Sequence, residues 1–154
     1  MRTLAALVAV TLVSVALAGS ASAYSFSPTS TTFTALGSLT LAKSGSPVVC
    51  AASFGGSINK TGVGKFTAVT FTGSPTCMAV QATGLPWGFK AVSASRAMIR
   101  GMAASAGSLG TCGPSNVHVM VNATGVIKFN HAMLTGGCSV NGTVQTAPVI
   151  TIVP

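Results

Sequence analysis

Three features of the sequence predict an all-β fold, an antiparallel β-sandwich or barrel-like domain. Stretches rich in Thr, Val, Ser and Gly are broken by Gly or Pro about every eight to twelve residues. Apolar and polar side chains alternate with period two, most plainly in Phe66-Thr-Ala-Val-Thr-Phe71 and Val117-His-Val-Met-Val121, so that one strand face is apolar. A unit also occurs twice: Asn59-Lys-Thr-Gly-Val-Gly-Lys-Phe-Thr67 matches Asn122-Ala-Thr-Gly-Val-Ile-Lys-Phe-Asn130. The match extends through Thr72-Gly73 and Thr135-Gly136 to Cys77 and Cys138, and each copy is preceded by a cysteine, Cys50 or Cys112. Asn and Gly tolerate the positive φ of hairpin turns, so each copy reads as cysteine, strand, Asn-x-Thr-Gly turn, Lys-Phe strand, cysteine.

Taken in order, residues 1–23 have the layout of a secretory leader. Arg2 is a short basic region, Leu4 to Leu17 is apolar, and Ala21-Ser-Ala23 is a small-residue cleavage site. The mature chain is expected to start at Tyr24, with no transmembrane segment, and to form one secreted β domain from 24 to 154. Residues 24–36 read as an extended N-terminal arm, with Tyr24, Phe26, Phe33 and Leu36 as its apolar contacts. Strands are then expected at Thr31–Ala35, Ser38–Ala42, Val48–Phe54, Lys65–Thr72, Cys77–Ala82, Phe89–Ser93, Met98–Ala103, Val117–Asn122, Val126–Asn130, Ser139–Val144 and Val149–Val153. The Ala- and Met-rich stretch Ala91 to Gly107 also suits a short helix.

Not one of the 154 residues is Asp or Glu, against eight Lys and Arg. That absence excludes paired-carboxylate glycoside hydrolysis, a Ser-His-Asp triad and an acidic cage for Ca²⁺ or Mg²⁺. His118 and His131 have no carboxylate to orient them, so no catalytic residues and no enzyme activity are expected. Acid denaturation usually works by protonating paired carboxylates, and this chain has none among its side chains, so a fold insensitive to acid is expected. The cations after the leader, Lys43, Lys60, Lys65, Lys90, Arg96, Arg100 and Lys128, are scattered, which argues against a specific nucleic-acid reader. Net charge leaves attraction to polyanionic surface material open.

Four cysteines in an exported chain read as two disulfides with three possible connectivities. If the repeated halves fold alike, each hairpin brings its own pair together, favouring Cys50 with Cys77 and Cys112 with Cys138 over a crossed pairing of the halves. No Cys-x-x-Cys pair or finger-like His spacing supports a metal site, and no cofactor is expected.

Gly84-Leu-Pro-Trp87 carries the sole tryptophan. Beside Phe89, Trp87 is a candidate ligand platform for a sugar ring or apolar molecule, the alternative being a core tryptophan that closes one end of the fold. The remaining methionines suit a core or an adaptable apolar surface. Asn59, Asn122 and Asn141 lie in Asn-x-Thr sequons, two of them already explained by turn chemistry.

The chain resembles the exported PraB-type family, the activators of alkane oxidation in bacteria. The resemblance rests on the leader, Ser27-Pro28, Phe33-Thr-Ala-Leu-Gly37, Cys50, Phe71-Thr-Gly-Ser74 with Cys77, and Gly84-Leu-Pro-Trp87. It continues through Cys112-Gly113, Gly137-Cys138 and Pro148-Val-Ile-Thr-Ile152. It implies a small exported accessory protein that promotes growth on hydrophobic substrates and has no catalytic residues of its own. The expected function is therefore an extracellular or surface accessory or matrix component that engages hydrophobic material, with the periplasm or cell surface as other addresses. Two other readings stay open: a fibre subunit that self-associates by donor-strand exchange through the arm, and a secreted carbohydrate- or polyanion-binding module.

Overall fold

A computed structural model describes residues 23–154, so the expected leader lies, but for Ala23, outside the described part. The strands are β1 (Ser25–Ser27), β2 (Thr31–Lys43), β3 (Ser46–Ile58), β4 (Gly64–Thr72), β5 (Gln81–Thr83), β6 (Trp87–Ser93), β7 (Arg96–Ser105), β8 (Thr111–Val121), β9 (Val126–Leu134), β10 (Cys138–Ala147) and β11 (Thr151–Val153). One helical turn, α1 (Pro75–Met78), and a 3₁₀ turn at Gly107–Leu109 complete the elements.

Each long strand pairs antiparallel with the next, in the order β2-β3-β4-β6-β7-β8-β9-β10, and β10 then pairs with β2. The result is a closed eight-stranded up-and-down barrel, with β5 as an extra strand beside β6 along the same side of β7. Closure satisfies the backbone donors and acceptors that an open sheet leaves at its edges. The prediction of an all-β sandwich or barrel is thereby resolved as a barrel.

The repeated hairpins β3-β4 and β8-β9 lie four strands apart, on opposite sides of the barrel. Their turns are built alike. Asn59 Oδ1 accepts from the Thr61 amide, the Thr61 hydroxyl and the Val63 amide at 2.8–2.9 Å. Asn122 Oδ1 accepts from the corresponding atoms of Thr124 and Val126 at 2.9–3.0 Å. Gly62 and Gly125 follow at φ 74° and 80°, the left-handed region that favours glycine.

The same two turns hold the first and last described segments against one mouth of the barrel. Gly62 O accepts from the Phe26 amide at 2.8 Å, and Gly125 O accepts from the Thr146 amide at 3.0 Å and the Thr146 hydroxyl at 2.9 Å. Thr146 Oγ1 in turn accepts from the Ile150 amide at 3.0 Å. With β1 paired to β11, Phe26 and Ile150 plug this end, both fully buried. Phe26 stacks on Phe89 at 4.2 Å, and Phe89 leads on to Phe66, Phe33, Phe54 and Phe129.

Several expected boundaries move. The segments Thr31–Ala35 and Ser38–Ala42 are one strand, because Gly37 continues the ladder where the Thr143 carbonyl lies too close for any Cβ. The arm over 24–36 is therefore part of its own chain's fold. Phe33 is an inward residue of the barrel, Phe26 is in the plug, Tyr24 is partly buried against the core, and only Leu36 faces solvent. Of the expected strand Cys77–Ala82 only Gln81 and Ala82 are strand, in β5: Ser74 accepts from the Cys77 amide at 3.2 Å and Pro75 occupies the first turn, so a helical turn forms ahead of it. Ala91 to Gly107, the stretch open to helix, forms the end of β6 and all of β7.

Candidate functional site

Eight strands enclose an interior that either fills with side chains or holds one small ligand. This barrel does one at each end. All seven phenylalanines are buried, and most crowd the plugged half. Toward the other end the inward positions carry smaller or unbranched side chains, Leu41, Val48, Met102, Ala104, Leu134 and Val140, around a cavity of about 610 Å³. That volume falls within the range of roughly 300–1,000 Å³ for small-molecule sites.

The strand pattern helps to make this room. Pairing of β4 with β6 covers only Gly64–Phe66 against Phe89–Trp87, so the rest of β4 has no ladder on that side. α1 and the segment leading to β5 cover the gap instead, placing Pro75, Ala79 and Val80 on the cavity wall. The disulfides pair as expected from the repeat, Cys50 with Cys77 and Cys112 with Cys138, with Cα separations of 5.5 and 5.9 Å. Cys50–Cys77 ties α1 to β3, and Cys112–Cys138 joins the mouthward ends of β8 and β10, so both brace the cavity end.

Trp87 and Phe89 part company in the structure. Trp87 lines the cavity but is fully buried, with its Nε1 donating to the Thr83 carbonyl at 2.8 Å. It is an inner wall of an apolar cavity rather than an exposed platform, because β6 begins at Trp87 and turns its inward phase into the barrel. Phe89, two residues on in the same phase, belongs to the plug. His118 and His131 are both exposed on the outer surface. Among the described residues no three His, Cys, Asp or Glu side chains cluster, and no helix is long and apolar enough to cross a membrane.

One residue of the wall was not singled out in the sequence. Lys43 ends β2 one residue past the strand boundary expected there, and it keeps the inward phase of Phe33, Ala35, Leu39 and Leu41. Its Nζ donates to the carbonyls of Thr111, at 3.0 Å, and of Gly136, which draws the β2-β3 hairpin toward the ends of β8 and β9. The signal was present: the alternation Leu39-x-Leu41-x-Lys43 carries a cation into a core-facing row.

Compared with known protein families, the whole chain, residues 1–154, matches the family described as alkane oxidation protein activator PraA/PraB-like. The chain belongs to this PraA/PraB-like family. No curated protein and no solved structure matches it. Three of the motifs quoted from the sequence fall at the mouth and the plug. Phe71-Thr-Gly-Ser74 and Cys77 build the wall around α1, Gly84-Leu-Pro-Trp87 ends at the cavity tryptophan, and Pro148-Val-Ile-Thr-Ile152 supplies the Ile150 plug.

Proposed function

We propose that this PraA/PraB-like protein is an exported, non-enzymatic accessory barrel that takes apolar molecules into its open end and helps cells engage hydrophobic growth substrates outside the cytoplasm. The observation that carries the reading is the 610 Å³ cavity with its apolar wall, opposite an end sealed by Phe26 and Ile150. Export is supported by the leader-like residues 1–23 and by two disulfides, which persist in oxidising compartments. A non-enzymatic role is supported by the lack of any carboxylate side chain. Donor-strand assembly draws no comparable support, since the residues it would lend are seated in their own barrel.

The test is a titration of the oxidised chain from Tyr24 with the apolar dye N-phenyl-1-naphthylamine, followed by competition with decane. Saturable one-site binding, displaced by decane, is expected. Ala104→Trp, which places a large ring on a half-buried wall position, should weaken the dye by about tenfold or more by filling the space. Non-saturable uptake that Ala104→Trp leaves unchanged would overturn the reading.

A further inference from the structure

The cavity's one basic wall residue points to a charged end on its ligand. Of the seven Lys and Arg side chains among the described residues, six are exposed and Lys43 alone is partly buried, in the inward row of β2. A lysine ammonium has three donors, and two of them are spent on Thr111 O and Gly136 O. Those contacts fix the ammonium at the mouth while leaving its positive charge without an anionic partner, because the chain has no Asp or Glu side chain. Ser46, directly across the ladder from Lys43 and also on the cavity wall, adds a hydroxyl on the same face. Beyond this polar edge the wall is mostly apolar down to Met102 and Trp87, with Thr76, Ser108 and Ser139 as its other polar side chains.

We infer that the cavity takes an aliphatic molecule ending in a carboxylate, a fatty acid anion, with its head at Lys43 and Ser46 and its tail running toward Trp87. This inference rests on the apolar-ligand reading above and names the ligand's chemistry. An apolar tail gains from leaving water against the wall, and the carboxylate gains a charge-assisted hydrogen bond from an ammonium that nothing else neutralises. A neutral alkane of equal length gains only the first, and an alcohol adds only a hydrogen bond that lacks the ligand's negative charge. Carboxylates are the terminal oxidation state of an alkane chain, so a protein of this family would then hold a product-class molecule in preference to the hydrocarbon.

The experiment compares decanoate with 1-decanol on the oxidised chain at pH 7, read by the fluorescence of Trp87, the sole tryptophan. Decanoate is expected to bind about tenfold more tightly, the scale of a partly exposed charge-assisted contact. Lys43→Met should erase the difference and Lys43→Arg should keep it. Because the protein has no carboxylate side chains, a pH titration of the wild-type preference reports mainly the ligand's own carboxyl group. The preference should therefore vanish as the pH falls below about 4.5, near ordinary carboxyl values. That arm decides the matter even if Lys43→Met fails to fold.

Equal affinities at pH 7, or a preference untouched by acid and by Lys43→Met, would overturn the carboxylate inference and leave the apolar-ligand reading standing. Binding of neither decanoate nor decanol, together with no saturable dye binding, would overturn both.

Discussion

At the scale of single residues, two asparagines do the same work on opposite sides of the barrel. Each Oδ1 of Asn59 and Asn122 gathers three donors of its own turn, and each turn offers the next glycine's carbonyl to a terminal segment. Asn59→Ala or Asn122→Ala removes those acceptors from exposed turns, where water replaces part of the loss, so each should cost about 1–2 kcal/mol. With the turns on opposite sides and sharing no partner, the double variant should show the sum within about 0.5 kcal/mol by urea denaturation. A strong departure from additivity would mean that the plug couples the two turns. Both asparagines were readable as turn residues from the sequence, whereas their hold on Phe26 and Thr146 was not, since it depends on segments distant in the chain.

At the scale of elements, the two disulfides brace the cavity end and the aromatic cluster fills the other. Each bond closes a loop of fewer than thirty residues, 27 and 26 apart in sequence, worth about 3–4 kcal/mol on the chain-entropy account. Removing Cys50–Cys77 alone, as Cys50→Ala with Cys77→Ala, should lower the unfolding free energy by that order. It should also weaken dye binding more than it alters the β-sheet circular dichroism, because α1 loses its tie to β3 while the barrel ladders remain. Unchanged dye affinity in the folded double variant would show that α1 holds its place without the bond. The pairing was legible because the repeat duplicates the cysteines with the hairpin. The helical turn at Pro75–Met78 was legible only in hindsight, in the Ser74-Pro75 start that competes with a strand at Cys77.

At the scale of the whole molecule, the absence of carboxylate side chains removes the usual route to acid unfolding. A carboxylate whose folded-state pKa is depressed contributes stability that is lost as the pH falls through that value, and this protein has no such side chain. His118 and His131 lie exposed on the outer surface. The thermal midpoint should therefore change by less than about 4 °C between pH 7 and pH 3, equivalent to roughly 1 kcal/mol for a chain of this size. A steep fall over that interval, measured by calorimetry on the oxidised chain, would show that repulsion among the cations dominates instead. Closure of the barrel acts in the same direction, since every long strand has a neighbour on both sides and little sheet edge is left for acid-induced association.

The sequence alone determined the fold class, the two hairpins, the disulfide pairing and the family, because each of these is local or duplicated: alternation, turn chemistry and motif spacing act over a few residues. Tertiary structure alone decided that β10 returns to β2, that β1 and β11 close one mouth, and that Trp87 and Lys43 share a cavity wall. Those outcomes depend on which strands meet around the barrel and on where large side chains accumulate within it. Such non-local facts arise from packing a fixed interior volume, with phenylalanines filling one half and smaller residues leaving the other half open.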